Sequence, residues 1–171
     1  LLLGSPTLFE AFRVAFRQMV SRRPTYFARM FIEARAAERH KYGGTVFLLE
    51  PNLKRSPGGL RDIHLLRWLW FAKSGESDPD RLLMKGVLSN FDHRRLMSSQ
   101  SFLLQVRNEM HFGTTTSSDV LSRAEQVRLA ESFGFRGREG QLPVEQFMRD
   151  YFRHTSHVSF QTTRLCELSS P

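Results

Sequence analysis

Apolar residues recur every three or four positions through most of the chain, which predicts a succession of amphipathic helices. Ser5 followed by Pro6 is typical of an N-cap and a first helical residue. We predict a second helix from Pro24 to the Gly43-Gly44 pair, since glycine often ends helices. The residues that we expect these helices to bury are Leu8, Phe12, Ala15, Phe16 and Met19 in the first, and Phe27, Met30, Phe31 and Ala34 in the second.

Residues 45–59 interrupt this helical pattern. Residues 45–49 suit a short extended segment, and residues 51–59 read as a loop that contains the pair Gly58-Gly59. The helix predicted next, over residues 60–73, is apolar over a broad arc, which favours a central position in the fold.

The remaining chain carries further helix signals. A polar break at 75–79 precedes a short predicted helix at 80–85. Ser89 with Asp92, and Ser122 with Glu125, resemble capping boxes that start two more helices, separated by a Thr/Ser-rich loop at 113–118. Pro143 begins the last predicted helix. We therefore expect one all-α domain over residues 1–171, an irregular bundle of six or seven helices, with residues 1–44 forming the first two helices and residues 60–171 the others.

Composition sets the broad class of protein. The chain has 171 residues, of which 40% are hydrophobic and 25% charged, as expected for a soluble globular domain. No apolar run approaches the roughly 20 residues that span a bilayer. The single cysteine excludes an internal disulfide framework and favours a reducing, cytoplasmic location. The chain starts in mid-element without a methionine, so we expect it to be a piece of a longer protein.

The net charge of +8 comes mostly from arginine. Arginine binds phosphate and carboxylate through a planar fork, so the charge suits a nucleotide, a nucleic acid or an acidic protein. The arginines are scattered, however, and ordinary solvated helix faces explain most of them. The aromatic residues occupy helical core spacings instead of positions beside basic patches, which makes a nucleic-acid partner unlikely.

Common catalytic and metal-binding patterns are missing from the sequence. It contains neither a nucleophile elbow nor a phosphate-binding Walker loop nor a dinucleotide fingerprint. Cys166 lies in an amphipathic pattern, where a packing role is usual. His154 and His157 share a helix face, but no further metal ligands stand near them in sequence, so a polar stripe is the simpler interpretation. We predict no catalytic residue and no metal site in this chain.

Residues 50–64 are the best candidate for a functional segment. A Gly-Gly pair allows the backbone to approach a ligand or another segment closely, and the helix that follows would present free N–H groups that suit an anion. In one interpretation, Lys54 and Arg61 flank the anion while Glu50 and Asp62 orient them through ion pairs, with Asn52 in support. In the other, the segment is a structural corner capped by an Arg61–Asp62 salt bridge. The sequence leaves both open.

Several separated motifs resemble those of bacterial protein-PII uridylyltransferases. The sequence Phe-Leu-Leu-Glu-Pro-Asn-Leu-Lys at 47–54 and the sequence Pro-Gly-Gly-Leu-Arg-Asp-Ile at 57–63 match the family signature. Arg39-His40 lies upstream, as in the family. Downstream, the stretches 102–111, ending in His111, and 144–153, ending in Arg153, also match in the right order. The resemblance covers roughly residues 1–165.

The resemblance implies a function for the longer protein. The family transfers UMP from UTP to a tyrosine of the PII signal protein, with two divalent metals, Mg²⁺ or Mn²⁺, held by carboxylates of a nucleotidyltransferase domain. The Gly-Ser and Asp-x-Asp motifs of that domain are missing here, so the fragment by itself is expected to be inactive. The chain corresponds to a helical domain beside the nucleotidyltransferase and HD domains. Lys54 and Arg61, with Gly58 and Gly59, are then expected to face the UTP phosphates.

The sequence departs from the family pattern in two places, and two alternative functions remain open. The family's Asp-Arg-Leu is Asp-Val-Leu at 119–121, and its acidic position near Arg55 is basic here. Glutamine-synthetase adenylyltransferases share the Gly-Gly-x-Arg-Asp-Ile core but usually continue with Glu-Phe, where this chain has His64-Leu65. The other alternative is a non-catalytic basic helical module that binds protein.

Overall fold

The computed structural model describes residues 4–112, 118–137 and 140–169. Within these ranges the chain forms seven α-helices and no strand, which confirms the predicted all-α fold. Residues 45–49 are irregular and contain bends. Most of the predicted 113–118 loop lies outside the described residues. The helices are α1 (Pro6–Ser21), α2 (Pro24–Lys41), α3 (Leu60–Ser74), α4 (Pro79–Met84), α5 (Asn90–Phe112), α6 (Arg123–Ser132) and α7 (Pro143–Glu167).

The predicted helix starts are confirmed by capping contacts. The Ser5 hydroxyl accepts a hydrogen bond from the N–H of Leu8, at 3.3 Å. The Ser89 hydroxyl accepts one from the N–H of Asp92, at 3.0 Å, and the Ser122 hydroxyl accepts one from the N–H of Glu125, at 3.3 Å. Each contact satisfies an N–H group that the first turn of a helix leaves without an intrahelical partner.

Helix α3 is the centre of the fold, as its apolar sequence predicts. It packs against α2, α5, α7 and, more lightly, α1. Leu66 is fully buried, and Ile63 and Leu69 are each 1% exposed. A continuous apolar core extends from α3 into α5, α6 and α7, and Leu53 of the preceding loop belongs to it. The position of α3 therefore fixes the position of that loop.

The predicted burial of the apolar stripe on α1 is wrong. Leu8 is 72% exposed and Phe12 is 61% exposed, and Val20 is the buried residue of this helix. Phe16 reaches α3 by stacking on Phe71, with ring centroids 5.7 Å apart. Periodicity shows that a helix has an apolar face, but the described elements of this chain do not supply the surface that would cover it.

The predicted buried face of α2 is only partly right, since Phe27 and Phe31 are half-buried but the other two predicted residues are not. Ala28 and Arg35 are the buried residues of this helix, whereas Met30 is 40% exposed and Ala34 is exposed. Phe31 and Ile32 are half-buried against Leu65 and Leu69 of α3. The helix is oriented so that the Arg35 guanidinium points into the protein, where it pairs with a buried carboxylate.

These burials predict opposite results for two leucine truncations. Leu66→Ala should lower the free energy of unfolding by roughly 2–5 kcal/mol, since it leaves a cavity in the core. Leu8→Ala should change it by no more than about 0.5 kcal/mol, because that side chain is already in water. Urea denaturation followed by circular dichroism measures both. A loss of several kcal/mol from Leu8→Ala would show that α1 is packed more deeply than described.

Candidate functional site

Residues 50–62, which we call the Gly-Gly corner, connect the irregular segment to α3. Asn52 organises the loop: its side-chain oxygen accepts hydrogen bonds from the N–H groups of Lys54, at 3.1 Å, and Arg55, at 2.8 Å. The Ser56 hydroxyl accepts one from the N–H of Asn52, at 2.9 Å. An asparagine that bonds backbone groups two and three residues ahead is a local turn-former. Asn52 thus supports the loop backbone.

The two glycines of the corner allow close backbone packing. Gly58 has a φ of +74°, and a Cβ added there would lie 2.0 Å from the carbonyl oxygen of Thr155 in α7. A Cβ on Gly59 would lie 2.6 Å from the carbonyl oxygen of Leu53. Both glycines are buried. Of the two uses that the sequence allowed for this pair, approach to a ligand and approach to another segment, the structure displays the second.

A fully buried carboxylate ties the corner to α2. The Asp62 side chain accepts hydrogen bonds from Arg35 Nε at 2.7 Å, from Arg39 Nη2 at 2.6 Å and from the N–H of Gly58 at 2.7 Å. Arg35 is itself buried and donates a further bond to the carbonyl oxygen of Arg55, at 2.9 Å. Burying a charge is costly unless it is paired and hydrogen-bonded, and this site meets both conditions.

The predicted ion pairs of the corner are therefore wrong. Asp62 pairs with Arg35 and Arg39 instead of Arg61. Glu50 does not orient Lys54 or Arg61: its carboxylate accepts a hydrogen bond from the N–H of Arg123 at the start of α6, at 2.9 Å. Both carboxylates hold the loop to other helices, which leaves Lys54 and Arg61 outside these pairs.

The sequence suggested that the start of α3 offers free N–H groups to an anion. In the structure these N–H groups already have partners. The N–H of Leu60 donates to the carbonyl oxygen of Leu53, at 3.0 Å, and the N–H of Arg61 donates to that of Lys54, at 2.9 Å. The N–H of Asp62 donates to the carbonyl oxygen of Gly59, at 2.9 Å. The loop folds back over the helix start and satisfies these donors itself. Any anion bound here must be held by side chains.

Lys54 and Arg61 are nevertheless joined through their backbones. Both residues are half-buried. Within residues 4–112, 118–137 and 140–169 neither side chain enters a salt bridge, and Arg61 Nε is a buried donor without a hydrogen-bond partner. His64, one turn further on, has its pKa lowered by burial and by the charges of Arg61, Arg67 and Lys54. Lys54 and Arg61 therefore enter no salt bridge with a described carboxylate, whereas Arg55 of the same corner pairs with Glu38 at 3.5 Å.

Asp119 makes a second connection to the corner. Its carboxylate accepts a hydrogen bond from Arg107 Nε at 2.8 Å and lies 3.1 Å from His111 Nε2. Its backbone carbonyl oxygen accepts a hydrogen bond from the N–H of Leu53, at 2.8 Å. Burial by itself would raise the pKa of Asp119, but the bonds and charges of Arg107 and His111 outweigh it and lower the pKa. This contact explains the physical role of the matched stretch at 102–111: it positions the loop.

Sequence reasoning missed Arg35. The signal was present, because Arg35 falls at helical spacing from Ala28 and Ile32, on the face that meets α3. An arginine on an apolar face indicates a buried partner, here 27 residues away.

Cys166 packs against the small apolar cluster formed by Ala28, Leu65 and Leu69. Burial raises the pKa of its thiol, as expected for a packing residue.

The chain is an all-α member of a nucleotidyltransferase family, as a match to a family model over residues 26–166 shows. That family is described as GlnD PII-uridylyltransferase, and the chain belongs to it. The matched region includes the Gly-Gly corner and the Asp119 contacts. This confirms the resemblance drawn from the sequence motifs.

Curated relatives carry the name bifunctional uridylyltransferase/uridylyl-removing enzyme. The chain is 37% identical to the one from Methylococcus capsulatus and 34% identical to the one from Nitrosococcus oceani, over 98% of this chain in both cases. It is 31% identical to the one from Haemophilus influenzae, over 97% of this chain. The chain spans 19% of the length of each of these relatives. No solved structure matches it.

None of the described helices is long and apolar enough to cross a membrane.

Two glycine substitutions test whether the corner is built on backbone contact. Gly134 has a φ of +71° and open space around it, so Gly134→Ala should cost only the left-handed strain, roughly 1–2 kcal/mol. Gly58→Ala adds a collision with Thr155 and should cost a further 1–3 kcal/mol or so. Chemical denaturation of the two variants gives the difference. Equal losses would mean that α7 does not press on Gly58.

Proposed function

We propose that this chain is the helical, substrate-supporting part of a protein-PII uridylyltransferase, an enzyme that transfers UMP from UTP to a tyrosine of the PII signal protein. Membership of the GlnD PII-uridylyltransferase family supports the proposal. The names of the relatives, which span far more sequence than this chain, support it further. In this proposal the chain works beside a nucleotidyltransferase domain and an HD domain of the same cytoplasmic protein.

Lys54 and Arg61 are the residues that we assign to the UTP phosphates. The carrying observation is that the backbones of the two residues are hydrogen-bonded to each other, while the nearby carboxylates of Asp62 and Glu50 are occupied by other partners. The Nε–H group of Arg61 is a hydrogen-bond donor that has no partner among the described residues. Nucleotidyl transfer builds negative charge on the departing diphosphate, and fixed cations that meet this charge stabilise the transition state. Gly58 and Gly59 serve by holding the corner in place.

The described residues of this chain offer no ligand set for the divalent metal of this reaction, Mg²⁺ or Mn²⁺. Among residues 4–112, 118–137 and 140–169 no group of three or more His, Cys, Asp or Glu side chains is arranged to hold a metal ion. We therefore assign the metal ligands to the nucleotidyltransferase domain of the longer protein.

The rival function is a non-catalytic protein-binding module. One observation favours it: the apolar stripe of α1 faces solvent and is available to another protein surface. The two functions differ in what the corner cations do. A binding module has no need of Lys54 and Arg61 in UMP transfer, whereas the proposed function makes that transfer depend on them.

The decisive variants are Arg61→Gln and Lys54→Gln in the full-length enzyme that carries this chain. Each should lower kcat/KM for UMP transfer by an amount equivalent to roughly 2–4 kcal/mol of transition-state stabilisation. Arg29→Gln, an exposed α2 arginine, is the control and should be silent. Steady-state kinetics with UTP and PII measure the effect, and melting temperatures confirm that the variants fold.

Unchanged kcat and unchanged KM for UTP in both corner variants would refute the phosphate assignment. Loss of uridylyl-removing activity in the same proportion as the transfer would also count against it, since that reaction does not use UTP.

A further inference from the structure

A second cationic site lies between α5 and α7. It is a cavity of about 210 Å³, which we call the α5–α7 cavity. Its lining contains no carboxylate. The lining residues are Arg94, Arg95, Ser98 and Ser99 from α5, and Arg153, His154 and His157 from α7.

Most N–H groups of the cavity arginines have no hydrogen-bond partner among the described residues. The Arg95 guanidinium lies over the Phe91 ring, 4.9 Å from its centroid, an arrangement that orients the group without using its in-plane N–H bonds. Arg94 makes one long contact, 3.4 Å, to the carbonyl oxygen of Asn90. Arg153 meets Asp150 at 3.2 Å through a single nitrogen.

The two carboxylates that act on the cavity histidines already have partners. Asp92 accepts hydrogen bonds from the Gln161 amide and the Ser89 hydroxyl. Asp150 pairs with Arg153 of the cavity itself, at 3.2 Å, and the Arg153 side chain is 60% exposed. The positive charge of the cavity is therefore only partly offset by the protein.

The cavity wall contains a buried polar atom that has no partner. His157 is 8% exposed, and its Nε2 has no hydrogen-bond partner among the described residues. Buried polar atoms in native proteins are nearly always paired, so this nitrogen has hydrogen-bonding capacity that the described residues do not use. Burial and then the charge of Arg95 lower the pKa of His157, while the charge of Asp92 acts in the opposite direction.

The rest of the wall is rigid. Ser99 is 1% exposed, and its hydroxyl lies 3.1 Å from His154 Nδ1. The His154 ring stacks on Phe102, with centroids 4.5 Å apart. Burial and then the charge of Arg153 lower the pKa of His154. The His154 imidazole is thus held in a defined orientation beside the arginines, which suits a small ligand of defined shape.

We infer that the α5–α7 cavity binds a phosphate-type oxyanion, either inorganic phosphate or diphosphate or the phosphoryl group of a nucleotide. Arginine forks match pairs of phosphate oxygens, and His157 Nε2 would supply the buried hydrogen bond. The volume is below the roughly 300–1,000 Å³ of pockets that enclose drug-sized molecules, so a whole nucleotide does not fit inside. This site is separate from the corner of the proposed function and does not depend on it.

The test is calorimetric titration of the full-length protein with phosphate, diphosphate and UTP, at an ionic strength held constant with NaCl. Arg95→Gln and Arg153→Gln alter exposed side chains and should fold normally. Each should weaken binding of the oxyanion about tenfold or more, the size expected for losing a hydrogen bond to a charged group. His157→Asn should weaken it as well. Arg13→Gln, an exposed arginine of α1, is the matched control and should leave affinity unchanged.

The three titrants separate the sources of the anion. A loss of phosphate and diphosphate affinity in the cavity variants assigns the site to free anions, and a loss confined to UTP assigns it to a nucleotide phosphoryl group. Affinities equal to wild type for all three titrants would overturn the inference. Arg61→Gln should retain the affinity of this site, so failure here is distinguishable from failure of the corner assignment.

Discussion

The buried carboxylate of Asp62 is the interaction on which the rest of the structure depends. It lies at the point where α2, the Gly-Gly corner and α3 meet, and it accepts a bond from each of the first two elements. Without its cations, a fully buried carboxylate would be too costly to keep charged. The position of α2 on the bundle and the path of the loop are therefore set together. The contact between Gly58 and Thr155 then presses this assembly against α7.

This arrangement divides the charges of the corner into two sets. Arg35 and Arg39 point inward and are neutralised by Asp62, so they hold the fold. Lys54 and Arg61 are excluded from that pairing, and the loop carbonyls have already taken the N–H groups at the start of α3. Structural and functional readings of the segment are thus compatible, because different residues carry them. The structural role belongs to Asp62 and the glycines, and the proposed phosphate role to Lys54 and Arg61.

The sequence predicted the elements better than it predicted their partners. Helical spacing and capping residues located all the described helices, because both signals are local. The apolar stripe of α1 was assigned to the core because periodicity identifies a face and not what covers it. Asp62 was paired with Arg61 because they are neighbours in sequence, but successive residues on a helix project about 100° apart. The pairing with Arg35 joins residues that the fold alone brings together.

The central claim is that Asp62 and Arg35 act as one unit, and a double-mutant cycle tests it most directly. The variants are Asp62→Asn, Arg35→Gln and the two combined, and the measurement is the free energy of unfolding from urea titration. Each single change should cost roughly 3–5 kcal/mol, since it leaves the other charge buried and unpaired. The double variant should lose less than the sum of the two, by about 0.5–3 kcal/mol. Losses that add to within about 0.5 kcal/mol would contradict the account.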